Sequence, residues 1–137
     1  MLTLWMYVNQ IRSLLELAVP AWQGAITQSE RLDLERVQKC ALHIILGEGY
    51  ESYKNALIQL NLEDLESRRK KLCLKFGKKA ERHEKHNKWS KPNNENLNTR
   101  QEKYKYCEVK FSHKRFKTSP ISYLTSLLNE HYSKAQK

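Results

Sequence analysis

Apolar side chains recur at three- and four-residue intervals through most of this chain, and that spacing commits it to helices. Residues Leu2–Ala18 place Leu4, Val8, Ile11, Leu15 and Ala18 on one face, with Pro20 expected to end the segment. Thr27 followed by Glu30 has the form of a capping box, in which each side chain satisfies a free N–H at the helix start. The helix it opens carries Leu34, Val37, Ala41, Ile44 and Ile45 and closes at Gly47. A short helix near Ser52–Leu60 turns Tyr53, Ala56, Leu57 and Leu60 inward. A longer one, Leu62–Arg82, gathers Leu62, Leu65, Leu72, Cys73, Phe76 and Ala80 into one arc. Ser119-Pro120 reads as an N-cap and first helical position, ahead of Ile121, Leu124, Leu128 and Tyr132. Only four Gly and three Pro in 137 residues leave little material for a turn-rich β fold. The expected class is all-α: a small helical bundle, a disordered basic linker and a C-terminal helix. The expected boundaries are 1–82 for the bundle, 83–103 for the linker and 104–137 for a basic arm and helix.

The first segment is apolar on more than one side, because Trp5, Met6 and Leu17 lie off its main face. Such a helix is either central to a small domain or covered by another body. It is too often interrupted, by Asn9, Gln10, Arg12 and Glu16, for a membrane span or a signal peptide. Three cysteines, Cys40, Cys73 and Cys107, give no disulfide framework. The expected location is therefore intracellular, cytoplasmic or nuclear, rather than secreted, with no membrane partner.

Charge is unevenly placed. Residues 1–66 hold 5 Lys/Arg and 9 Asp/Glu, a balance of −4, whereas residues 67–137 hold 20 and 6, a balance of +14. A basic half beside an acidic one suits a polyanion such as RNA or DNA, though a solvated tail without a specific partner has the same composition. Two sets of cations are candidates. On the long helix, Lys71, Lys75, Lys78 and Arg82 project at i, i+4, i+7 and i+11, a stripe about 16 Å long. Downstream, Arg100, Lys105, Lys114, Arg115 and Lys117 alternate with Tyr104, Tyr106, Phe111 and Phe116. Rings that stack on bases and cations that meet phosphates suit a single strand, although edge strands share the pattern. Arg69 falls within the apolar arc, where a charge requires a partner. A salt bridge to Glu35, Asp33 or Glu66 is expected.

No catalytic constellation is present: no phosphate-cradling glycine loop and no Gly-x-Ser-x-Gly. Cys73, His83, His86 and Cys107 lack the spacing of a zinc site, so neither metal nor cofactor is expected. Glu63, Asp64 and Glu66 stand where acids favour the helix dipole.

Four strings, IRSLLELAVPAW, LERVQKCALHIILG, ALIQLNLEDLESRRKKLCLKF and RFKTSPISYLTSLLNE, occur in this order over nearly the whole chain. Their cores are Pro20–Trp22, Leu34–Lys39, Leu62–Arg69 and Ser119–Leu124. Together they resemble the C-terminal region of non-LTR retrotransposon reverse transcriptases of the jockey-like type. The resemblance implies the thumb and tail that follow the palm of an RNA-directed DNA polymerase, where helices hold the template–primer duplex. The palm's Tyr/Phe-Ala-Asp-Asp motif does not occur here, and neither does the Cys/His zinc knuckle of related elements. The expectation is a non-catalytic fragment of a transposable-element polymerase that retains nucleic-acid binding. Its first helix would face the missing polymerase core or a second copy. The alternative is a helical protein-interaction or self-association module with a basic tail and no nucleic-acid role.

Overall fold

The computed structural model describes residues 2–83, 88, 105–107 and 114–135; of Lys114 and Arg115 it describes the backbone. Within them the chain is helical, with no strand, as its periodicity requires. The order is α1 (Leu2–Met6), a π-helical turn (Tyr7–Ile11), α2 (Arg12–Leu15), α3 (Val19–Trp22), α4 (Gln28–Leu46), a 3-10 turn (Gly47–Gly49), α5 (Tyr53–Gln59), α6 (Leu65–Arg82), α7 (Lys114–Lys117) and α8 (Pro120–Ala135). Two compact units result. One comprises Met1–Val19 and Ile26–Lys70; the other comprises Pro20–Ala25 and Lys71–Lys137. The division differs from boundaries at 82 and 103 because residues 105–107 and α8 pack on the second half of α6. Most of the segment expected as a linker, and much of the basic arm, lie outside the described residues.

Local signals set the helix ends. The Thr27 N–H donates to Glu30 Oε2 at 2.6 Å and the Glu30 N–H donates to Thr27 Oγ1 at 3.3 Å, which completes the capping box. Hydrogen bonds from the Thr27 backbone and hydroxyl hold the Glu30 carboxyl below its usual range. Gly47 closes α4 with φ +54°, a conformation that costs a residue with a Cβ. Ser52 caps α5 and Ser119 caps α8 through side-chain oxygens that accept from the Asn55 and Ser122 N–H groups. Asp64 Oδ2 accepts from the Ser67 N–H at 2.8 Å and so caps α6. Burial would raise the Asp64 carboxyl, but the Ser67 hydrogen bonds outweigh it and lower it.

The start of the chain departs from a regular helix. The π turn at Tyr7–Ile11 takes up one extra residue, so the face rotates after it. Tyr7 becomes the buried residue of this run, while Ile11 and Ala18 are exposed rather than inward. Pro20 does not end the segment. The helix stops at Leu15, Ala18 adopts a left-handed φ of +52°, and Pro20 lies inside α3.

In the first unit Tyr7, Leu42, Ala56 and Leu65 form the apolar core, with the fully buried Gln38 donating through Nε2 to the Glu63 carbonyl at 3.0 Å. Burial pushes the Tyr7 hydroxyl up to about 12, with Arg12 opposing the shift. Glu35 ties three elements together. It accepts from the Tyr53 hydroxyl and from the Glu66 N–H, each at 2.7 Å. Glu16 accepts an ion pair from Arg68 and lies 3.7 Å from Arg12.

In the second unit Gly77 is buried against Leu128, where an added Cβ would stand 3.3 Å from Leu128 Cγ. Asn129 Oδ1 accepts from the Tyr106 N–H and its Nδ2 donates to the Tyr106 carbonyl, both at 3.0 Å. That amide fixes the backbone at residue 106 from both sides. Gly24 meets Tyr123 so closely that a Cβ there would lie 2.7 Å from Tyr123 Cβ.

Candidate nucleic-acid interface

The cations named from the sequence fall into four groups. Lys71, Lys75 and Arg82 are exposed on α6. Lys79, which the helical stripe had passed over, is exposed too and stands four residues after Lys75. Among the described residues, Lys75, Lys79 and Arg82 have no carboxylate within ion-pair distance. The first lies about 10 Å along the helix from the last. Three like charges within about two turns repel one another, so a polyanion laid along them relieves repulsion as well as gaining attraction.

Lys78 belongs to a second group. It is half-buried, and its Nζ donates to His131 Nε2 at 3.2 Å, so α8 turns it away from the row. Lys105 stays exposed but has a carboxylate partner. Its Nζ lies 2.5 Å from Glu81 Oε1 and 4.0 Å from the centre of the Tyr132 ring. The hydrogen bond to Glu81 raises the Lys105 pKa, and the charge is answered internally. Lys105, expected against phosphate, thus forms an ion pair with Glu81. The expected role of Tyr106 is corrected. Instead of offering a ring to bases it is buried, and its hydroxyl donates to Glu81. Burial first, then that hydrogen bond, pushes the Tyr106 hydroxyl up to about 12.

Lys117 is exposed just before the α8 cap. The side chains of Lys114 and Arg115, and all of Arg100, Tyr104 and Phe111, lie outside the described residues. Phe116 is exposed.

Arg69 does not form the salt bridge expected of it. Its side chain is fully buried, and among the described residues Nε, Nη1 and Nη2 make no hydrogen bond. The acids expected to meet it are engaged elsewhere. Asp33 pairs with Arg36 at 2.7 Å, Glu66 pairs with Lys70 at 2.8 Å, and Glu35 is held by Tyr53 and the α6 backbone. Of the arc expected on the long helix, Leu65, Arg69 and Cys73 are buried, joined at the next four-residue step by Gly77, whereas Phe76 is exposed.

Glu81 is the residue that sequence reasoning missed. It accepts from Lys105, from the Tyr106 hydroxyl and from the Tyr132 hydroxyl, the last at 2.8 Å. Burial alone would raise its carboxyl; the three hydrogen bonds together hold it below the usual range. The only available signal was negative: Glu81 is the single acid between Ser67 and Arg82.

Among the described residues no group of three or more His, Cys, Asp or Glu is arranged to hold a metal ion, and no helix is long and apolar enough to cross a membrane. Neither a family model, nor a curated protein, nor a solved structure matches the chain.

Proposed function

We propose that this chain is the non-catalytic thumb and tail portion of a retrotransposon reverse transcriptase, and that it binds RNA or a template–primer duplex through charge. The family part of the reading rests on the four ordered strings. The binding part rests on one observation above the others: Lys75, Lys79 and Arg82 stand exposed in a row, without carboxylate partners among the described residues. Many of the other arginines and lysines described here are neutralised at home, Arg12 and Arg68 by Glu16, Arg36 by Asp33, Lys70 by Glu66, Lys105 by Glu81 and Lys134 by Glu130. Among the described residues so many cations are paired, and three neighbouring ones are not, that the α6 row is the arrangement best suited to seat phosphate.

Phosphate contacts position a protein without reading bases, so sequence preference is small. Affinity falls with salt because each neutralised phosphate releases a counterion. Filter binding to a duplex and to a single strand of mixed sequence, at low and at moderate salt, checks this. The expected result is a steep loss with salt and little difference between sequences. Affinity indifferent to salt rejects the reading. The family part is tested by the genomic sequence upstream, where an intact or decayed palm with its Ala-Asp-Asp motif is expected.

A further inference from the structure

We propose that the N-terminal helical run is a dimerisation seam, and that its occupant is the same run of a second copy of this chain, paired antiparallel about a two-fold axis at the π turn. The face that α1 and α2 leave uncovered is strongly apolar. Leu2 is 74% exposed, Trp5 59%, Met6 51%, Leu14 71% and Leu17 68%. In an unbroken α-helix these residues would not share a face, since Leu14 follows Leu2, and Leu17 follows Trp5, by a number of residues that is not a whole number of turns. The π turn at Tyr7–Ile11 absorbs one residue, which leaves about three whole turns between Leu2 and Leu14, while Leu17 lies in the turn that follows α2. The π turn therefore aligns two apolar clusters that regular geometry would splay apart.

Three features select a copy of the same chain as the occupant. The first is area. Five side chains of this size at these exposures present roughly 700 Å², close to the ~800 Å² that each partner contributes to a stable interface. The second is charge. The exposed positions of the run, Leu2, Thr3, Trp5, Met6, Asn9, Gln10, Ile11, Ser13, Leu14 and Leu17, carry none. Its two ionic residues, Arg12 and Glu16, are turned toward each other and Arg68. A nucleic acid finds no cation there, and a lipid-surface helix is normally flanked by Lys and Arg. The third is internal symmetry. An isologous interface must be self-complementary. Leu2 and Leu17 are equidistant from the point between Asn9 and Gln10, and so are Trp5 and Leu14. An antiparallel mate thus brings Trp5 against Leu14, with the polar centre on the axis and Leu17, in the turn after α2, at the edge of the seam. That centre makes few demands on a mate. Asn9 Nδ2 donates to the Trp5 carbonyl at 2.9 Å, and Ser13 Oγ donates to the Asn9 carbonyl at 2.6 Å.

Sedimentation equilibrium on the full chain, in salt high enough to remove nucleic acid, is the test. The wild type is expected to dimerise with a dissociation constant tighter than about 100 µM. Because each substitution enters a two-fold interface twice, Trp5→Glu or Leu14→Lys alone is expected to weaken the dimer at least about tenfold. Both sites are exposed, so helical content by circular dichroism should stay at the wild-type level. An equimolar mixture of the two variants is expected to re-form a dimer, since the carboxylate introduced on one chain then meets the ammonium introduced on the other. A wild type that stays monomeric overturns the proposal, as do variants that dimerise like the wild type. Variants that fail to rescue one another exclude the antiparallel pairing. Flotation of a monomeric wild type with phosphatidylcholine vesicles would assign the face to lipid instead.

Discussion

Arg69 sits one turn beyond Leu65 on α6, fully buried, with no acceptor among the described residues for any of its three guanidinium nitrogens. Removing such a charge from water costs several kcal/mol, and the Glu66 carboxylate, whose pKa the Arg69 charge helps to lower, attracts it without a hydrogen bond. A methionine of similar length would fill the same space without that cost. Arg69→Met should therefore stabilise the chain, by about 1–4 kcal/mol in urea denaturation. Arg69→Ala would remove the charge but leave a cavity, and should gain less. A destabilised Arg69→Met would show that the guanidinium has an acceptor that holds its charge. Gly24 is a second position where a single atom decides. A Cβ there would lie 2.7 Å from Tyr123 Cβ and 3.2 Å from the Thr118 carbonyl oxygen, neither of which can swing aside. Gly24→Ala is expected to cost about 1–3 kcal/mol by overpacking, read as a lower thermal midpoint.

Between elements, the Glu81 carboxylate does the work that a hydrophobic patch would do in a larger domain, since it joins α6 to residues 105–107 and α8. Its pKa is depressed in the folded chain. The stability it supplies is thus fully present above its ordinary value of 4.5 and is lost as pH falls through the lower folded value. Glu81→Gln should cost about 1–2 kcal/mol at neutral pH, a figure kept low because the group is partly exposed. The deficit should shrink on acidification as the wild-type carboxyl takes up its proton, so denaturation curves at about pH 7 and pH 3 distinguish this from simple packing loss. Nothing in the sequence marked this junction, because Glu81 and Lys105 are 24 residues apart and no local pattern joins them. Signals confined to one turn were legible: Thr27 with Glu30, Gly47 and Ser119 all cap where the sequence placed them. The π turn was not, because an inserted helical residue leaves no compositional trace and yet rotates every position after it. The buried side of α6 was legible at Leu65, Arg69 and Cys73 and was missed at Gly77. Leu72 and Phe76 are larger than Gly77, but it is the small residue that lets α8 approach.

At the scale of the whole chain, the charge imbalance read from composition was real but too coarse to name contacts. The same +14 includes lysines that face solvent and lysines that face glutamate, and only partners at long sequence separation tell them apart. The salt dependence of binding separates them in solution. For duplex DNA each neutralised phosphate contributes about 0.9 to the slope of log K against log salt. If the α6 row seats the backbone, Lys75→Gln, Lys79→Gln and Arg82→Gln combined should make that slope shallower by about 2–3. Lys105→Gln should leave it nearly unchanged, because that ammonium already answers Glu81, and Lys78→Gln should do the same because α8 holds Lys78 against His131. The residual slope of the triple variant then reports the tail, whose cations include Lys114, Arg115 and Lys117. An equal loss from Lys105→Gln and from Lys79→Gln would mean that binding follows total charge rather than its arrangement. The α6 row would then be no more than part of a diffuse positive cloud.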